Sequence, residues 1–214
     1  MILGITGGVA TGKSTVCATL HALAAERSKP LAVISADAIA RDLLDPGTPA
    51  TMAVIEKFGE SVTLAGDPEV IDRRELGAIV FDDEAARRWL EKLLHPTIIQ
   101  QLVDAGAPFK GRKAQGLDGQ TILVMEIPLL FEANLEYLVD RILVTRCSED
   151  LQVERIVARK AGMSEADAHR QINAQMPIEL KVAKADYVID ADKPLDEVSR
   201  DIAQVLDSLT AWRV

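Results

Sequence analysis

Cysteine is scarce in this sequence. Only Cys17 and Cys147 occur, far apart and without Cys-x-x-Cys spacing, which argues against a zinc cluster or a dithiol centre and for free thiols in a reducing compartment. Basic residues are in deficit, 24 Lys and Arg against 33 Asp and Glu, for a net charge of -9. Such a surface repels nucleic acid and anionic membrane, so neither is an expected partner, and a polyanionic ligand must be met by a local basic cluster. Long apolar runs are missing too. The most hydrophobic later segment, TILVMEIPLLFEANL, is interrupted by Glu126, Pro128 and Glu132 and falls short of the roughly 20 apolar residues that a membrane helix needs. The opening Met1 to Ile5 has no basic flank and breaks at Gly7-Gly8, so it reads as a strand rather than a leader. No internal repeat or low-complexity tract argues for a solenoid or for disorder.

What remains is an ordinary globular composition over 214 residues, enough for one core with insertions, in a protein expected to be cytoplasmic. Short β-rich runs recur at Ile2 to Thr6, Leu31 to Ser35, Thr121 to Ile127, Arg141 to Thr145 and Tyr187 to Ile189, each followed by helical spacing. That alternation predicts an α/β fold, a parallel sheet covered by helices on both faces. The connection from Ser35 to Thr121 is far longer than one crossover helix; its segments ADAIARDLL, ATMAVIEKF, RRELGAIVF and DEAARRWLEKLLHPTIIQQLVDA predict a helical insertion punctuated at Gly59, Gly66 and Pro96, closed by a loop over 106–120. A basic stretch from Ser148 to Lys184 predicts two helices around Gly162, and Leu195 to Leu209 a closing amphipathic helix. The expected boundaries are a core of 1–36, 120–147 and 185–214, an insertion of 37–119 and a lid of 148–184.

The chemistry begins at GITGGVATGKST, residues 4 to 15, which satisfies G-x-x-x-x-G-K-[ST], a pattern that random sequence of this length yields in roughly one chain in a hundred. Here it follows a strand and opens a helix, where backbone N–H groups and the helix dipole wrap phosphate oxygens. The expected nucleotide ligands are Gly8, Ala10, Thr11, Gly12, Lys13, Ser14 and Thr15, with Lys13 reaching the β and γ phosphates of ATP and the Ser14 hydroxyl on Mg²⁺.

A phosphate loop serves GTPase switches, motor ATPases and small-molecule kinases alike. No Asn-Lys-x-Asp segment follows a strand, which speaks against a guanine switch. A kinase needs a carboxylate for the acceptor hydroxyl and a cation that closes over the transferring phosphoryl. Asp37, just past the second strand, suits the first role and also suits a helix N-cap; Arg41, one turn on, suits an anionic acceptor. In the basic stretch Arg159 is the preferred lid cation, with Arg155 beside it as a nucleotide ligand, while Arg170 and Lys181 read as surface residues paired with Glu154, Glu165 or Glu179. A nucleoside or nucleotide kinase of the same fold and a non-catalytic ATP-binding regulator remain open on these residues.

The segments SADAIARDLLDPGTPA, IDRRELGAIVF, LEKLLHPTI, IPLLFE, QVERIVARKAGMSEADAHRQINAQMP and KADYVID, together with the phosphate loop, resemble the dephospho-CoA kinase family along nearly the whole chain. The resemblance implies a three-layer α/β/α P-loop core with strand order 2-3-1-4-5, a helical insertion that binds the CoA substrate, a mobile lid, and transfer from MgATP to the ribose 3′-hydroxyl of dephospho-CoA. It implies Asp37, Lys13 and Arg159 as catalytic, and Asp37, Arg41, His95, Pro128 and Leu129 as acceptor-binding, in a monomer or weak homo-oligomer. Glu126 stands where the family is often acidic. Two positions depart from the family: Ser35 replaces the first acid of its Asp-Ala-Asp motif, and Ala191 replaces the Asn after its last strand.

Overall fold

The computed structural model describes residues 1–110, 121–159 and 162–211. Along the described chain run seven strands, β1 (Ile2–Gly7), β2 (Leu31–Ser35), β3 (Thr63–Leu64), β4 (Asp67–Ile71), β5 (Ile122–Glu126), β6 (Arg141–Arg146) and β7 (Tyr187–Asp190). The five expected runs pair in parallel in the order β2-β5-β1-β6-β7, while β3 and β4 make a separate antiparallel hairpin. Every residue of β1 and β5 is buried, the pattern of central parallel strands covered on both faces, which is why their sequences run almost unbroken in apolar residues. The register sets Ser35 of β2 and Ile5 of β1 on either side of Glu126, and Gly7 beside Thr145.

Contacts divide the chain into two compact units, Met1–Ser35 with Ala105–Val214, and Ala36–Asp104. In the sheet-bearing unit, α1 (Lys13–Glu26) and α9 (Leu195–Ala211) lay Val16, Leu20 and Ala24, and Val198, Ile202, Val205, Leu206 and Leu209, against Leu3, Ile5, Val124, Leu143 and Ile189. These strand residues share one parity and so one sheet face. Each fully buried Leu or Ile here contributes roughly 1.5–3 kcal/mol. The same unit carries α6 (Glu149–Arg159), α7 (Glu165–Asn173) and α8 (Ile178–Val182). Two helices were expected between Ser148 and Lys184; α8 is a third, too short to show a period. A capping box, with Ser164 and Asp167 exchanging side-chain-to-backbone bonds, starts α7.

The unit 36–104 contains α2 (Ala36–Asp42), α3 (Pro49–Phe58), α4 (Arg73–Asp82), most of α5 (Glu84–Gly106) and the β3–β4 hairpin. Thr48 caps α3 and Asp72 caps α4 through their side-chain oxygens. Val54, Val62, Ile71 and Leu76 form its core, bordered by Phe58 and Trp89, whose rings meet edge to face at 5.4 Å. Two expectations change here. The insertion is not wholly helical: the chain turns at Gly66, with φ of 89°, into the hairpin. Pro96 does not end a helix; α5 runs through it, giving up only the bond that the missing N–H would have made to the Lys92 carbonyl. Of the loop expected over 106–120, Ala107–Phe109 forms a 3-10 turn, and 111–120 lies outside the described residues, as does Lys160. Among the described residues no helix is long and apolar enough to cross a membrane.

Candidate active site

The phosphate loop leaves β1 at Gly7 and enters α1 at Lys13, at the edge where the parallel strands end. Its turn depends on backbone that side chains resist: Gly7 has φ of 151° and Gly12 φ of 89°, and Ala10 adopts φ of 59° despite its Cβ. A Cβ on Gly7 would lie 2.2 Å from the Thr145 carbonyl oxygen. Gly12 is the N-cap of α1 and supplies no side-chain bond, so no cap side chain competes with an anion for the N–H groups of the first turn. Thr11 is no cap; fully buried, it donates to the Gly8 carbonyl at 2.9 Å and lies 2.7 Å from the Thr145 hydroxyl, tying the loop to β6.

Lys13 folds back over this loop, with Nζ donating to the Gly8 carbonyl at 2.7 Å and the Gly7 carbonyl at 3.5 Å. The next residue, Ser14, donates from Oγ to Oε1 of Glu126 at 2.8 Å. Glu126 ends β5 and is only 8% exposed, so a hydroxyl and a carboxylate, both hard oxygen donors, stand side by side next to the loop. Among the described residues no three His, Cys, Asp or Glu side chains gather to hold a metal. A cation at this spot would draw on few protein oxygens and on water and phosphate for the rest, a donor set that fits Mg²⁺. Burial, reinforced by the Glu126 carboxylate, pushes the Cys17 thiol of α1 up to about 12, and burial also raises that of Cys147.

Arg155 reaches the loop from α6. Its guanidinium donates to the Ala10 carbonyl at 3.1 Å and to the Ala191 carbonyl at 3.3 Å. One turn on, Arg159 ends α6 with its side chain exposed. On the opposite side Pro128 presents its carbonyl to the Thr6 hydroxyl at 3.0 Å, and Leu129 beside it is 36% exposed. The sheet-bearing unit thus gathers Gly8, Ala10, Thr11, Gly12, Lys13, Ser14, Thr15, Arg155, Pro128 and Leu129 around the carboxyl ends of β1 and β5.

Asp37, Arg41 and His95 belong to the other unit. Helix α2 starts at Ala36, so Asp37 stands in its first turn rather than at the cap position before it, two residues past the end of β2. Asp37 and Arg41 are exposed and four residues apart, on one face of α2. His95 is half-buried within α5, not between two helices.

In the 148–184 stretch one of the two residues expected at the surface departs from that place. Lys181 is not a surface residue: it is fully buried, with Nζ 2.7 Å from Oε1 of Glu132. Arg170 is exposed and pairs with Asp167, three residues before it. Two further contacts escaped the sequence. Gln175 accepts from the Val9 N–H at 2.8 Å, and Gln152 packs on Gly8, where a Cβ would come within 2.4 Å of its Nε2. Both glutamines lie in the segment QVERIVARKAGMSEADAHRQINAQMP, but nothing in that run names their partners, which are more than a hundred positions away.

Fold and loop together define a P-loop nucleotide-binding protein of the α/β class, the class to which P-loop kinases belong. The family model for dephospho-CoA kinase matches residues 1–197. This chain belongs to the dephospho-CoA kinase family, whose reaction is the ATP-dependent phosphorylation of dephospho-CoA, the last step of coenzyme A biosynthesis. The dephospho-CoA kinase of Halalkalibacterium halodurans is 37% identical over 216 residues, covering 100% of this chain and 98% of its own. That of a Synechococcus strain is 41% identical over 207 residues, covering 97% and 94%. The solved dephospho-CoA kinase from Campylobacter jejuni superposes with a TM-score of 0.66 at 25% identity, over 98% of this chain and 97% of its own.

Proposed function

We propose that this chain transfers the γ-phosphoryl of ATP to the ribose 3′-hydroxyl of dephospho-CoA at the loop Gly8 to Thr15. The carrying observation is that loop, with Lys13 over it and Ser14 against Glu126, in a chain matched nearly end to end by the family. The N–H groups at the start of α1 and the helix dipole hold the phosphates. Lys13 exchanges the Gly8 and Gly7 carbonyls for phosphate oxygens, while Arg155, through the Ala10 and Ala191 carbonyls, keeps the loop in shape for the nucleotide. Mg²⁺, held by Ser14 directly and by Glu126 through water, would neutralise charge on the β and γ phosphates.

Asp37 accepts the proton of the 3′-hydroxyl, and Arg159, exposed at the end of α6, closes over the transferring phosphoryl as the 148–184 segment moves. Arg41, His95, Pro128 and Leu129 contribute to binding of the anionic acceptor. The protein works in the cytoplasm, as a monomer or weak homo-oligomer. The test supplies MgATP with dephospho-CoA, AMP, UMP, pantothenate or no acceptor and measures ADP. Turnover is expected with dephospho-CoA; equal rates without an acceptor would overturn the reading, and preference for AMP or UMP would make the chain a nucleotide kinase.

A further inference from the structure

Gln175 lies in the short link between α7 and α8, and its side-chain carbonyl takes the backbone N–H of Val9 at 2.8 Å across 166 positions of sequence. A main-chain N–H only donates, so the side-chain amide must turn its oxygen to Val9 and its NH₂ away. The next residue is bolted down in the opposite direction. The Met176 N–H donates to Oε1 of Glu132 at 3.0 Å, and that oxygen also receives the buried Lys181 ammonium at 2.7 Å. The ammonium sits 3.5 Å from the Pro128 carbonyl, which already accepts from Thr6 on β1. A buried ion pair recovers little more than its own desolvation cost, so its use here is geometric: it fixes where the 175–176 peptide stands. Val9 and Ala10 complete the joint by packing with Val153, Ile156, Ala168 and Ile172.

We infer that Gln175 is a positioning residue for phosphoryl transfer, holding the Val9 amide, and with it the outer turn of the phosphate loop, from a mount made by the Lys181–Glu132 pair. The inference rests on the reading of this loop as the ATP site. With its N–H committed to Gln175, Val9 cannot swing inward, and the remaining loop amides keep the spacing that a triphosphate meets. Removing the acceptor leaves an orphan N–H at the tip of the loop, which relaxes toward other partners. A displacement of about 1 Å in such a frame costs up to 10²-fold in rate.

The test compares wild type with Q175M, which keeps the length and loses the acceptor, and Q175E, which keeps an acceptor at the same reach. Steady-state kinetics with MgATP and dephospho-CoA are read beside thermal midpoints and the NMR-detected exchange of the Val9 amide. Q175M is expected to lose about 10- to 100-fold in kcat/KM for ATP, with KM for dephospho-CoA within about twofold, a nearly unchanged midpoint and a faster-exchanging Val9 amide. Q175E is expected to lose less than Q175M and to keep that amide protected. Wild-type kinetics in Q175M, a loss tracking a collapsed thermal midpoint, or Q175E as impaired as Q175M would each overturn the inference. If wild type shows no turnover that depends on dephospho-CoA, the family reaction fails instead, and Val9 exchange still tests the hydrogen bond.

Discussion

Asp37 carries the largest chemical demand of any single side chain in the proposed reaction. It stands in the first turn of α2, and asparagine keeps its size there while removing the charge, so this substitution changes the chemistry with little change of volume. Asp37→Asn is expected to lower kcat by a factor on the order of 10² to 10⁴ and to leave ATP affinity within a few-fold, as measured by nucleotide titration and steady-state turnover. Unchanged kcat would remove Asp37 from the role of base. Residue by residue, the linear motif was the legible part: the turn from β1 into α1 falls on the pattern because a phosphate loop is built from consecutive residues. The contacts of Gln175 and Glu132 were not legible, although both residues stand in the quoted segments. Each acts through a partner far away in the chain, and Lys181 looked like a surface charge until its carboxylate partner was placed beside it.

At the scale of elements, β1 and β5 were readable because buried strands leave dense apolar runs, and β2 and β7 because they carry short apolar runs although few of their residues are buried. The β3–β4 hairpin was not: β3 has only two residues, and most of β4 is exposed, so neither leaves an alternation to find. Continuity of α5 through Pro96 was equally hidden, since proline usually marks an end and here the rest of a 23-residue helix carries it. The junction of β1 with the loop offers the sharpest test at this scale. Gly7→Ala must place its Cβ 2.2 Å from a backbone carbonyl on β6, whereas Gly8→Ala meets the end of the flexible Gln152 side chain at 2.4 Å. Gly7→Ala should cost about 2–3 kcal/mol and lower Tm by roughly 5–10 °C. Gly8→Ala should cost less, because the amide can step aside. Thermal unfolding of the two variants side by side checks the order, and a Gly8→Ala protein as damaged as Gly7→Ala would contradict it.

For the molecule as a whole, Cys17 links the core to alkaline stability. Its thiol ionises near 9.0 when exposed and at about 12 in the fold. Below pH 9 the thiol is protonated in both states and contributes its full share. As pH rises toward 12 only the unfolded chain loses the proton, so the unfolding free energy declines, with a slope approaching about 1.4 kcal/mol per pH unit from this group alone. Cys17→Ala has no thiol to ionise there. Urea unfolding from pH 8 to pH 11 should show the wild type losing stability more steeply than the variant, and parallel curves would show that the buried thiol is not the source.

The grip of Arg155 has a consequence for how this chain tolerates change. Both of its loop contacts are to carbonyl oxygens, of Ala10 and of Ala191, atoms that every amino acid carries. The clasp is therefore indifferent to which side chain follows the last strand. That indifference is a form of mutational robustness: Ala191, where the family has Asn, gives up an amide and keeps the carbonyl that Arg155 grips, with only a methyl facing Gly12.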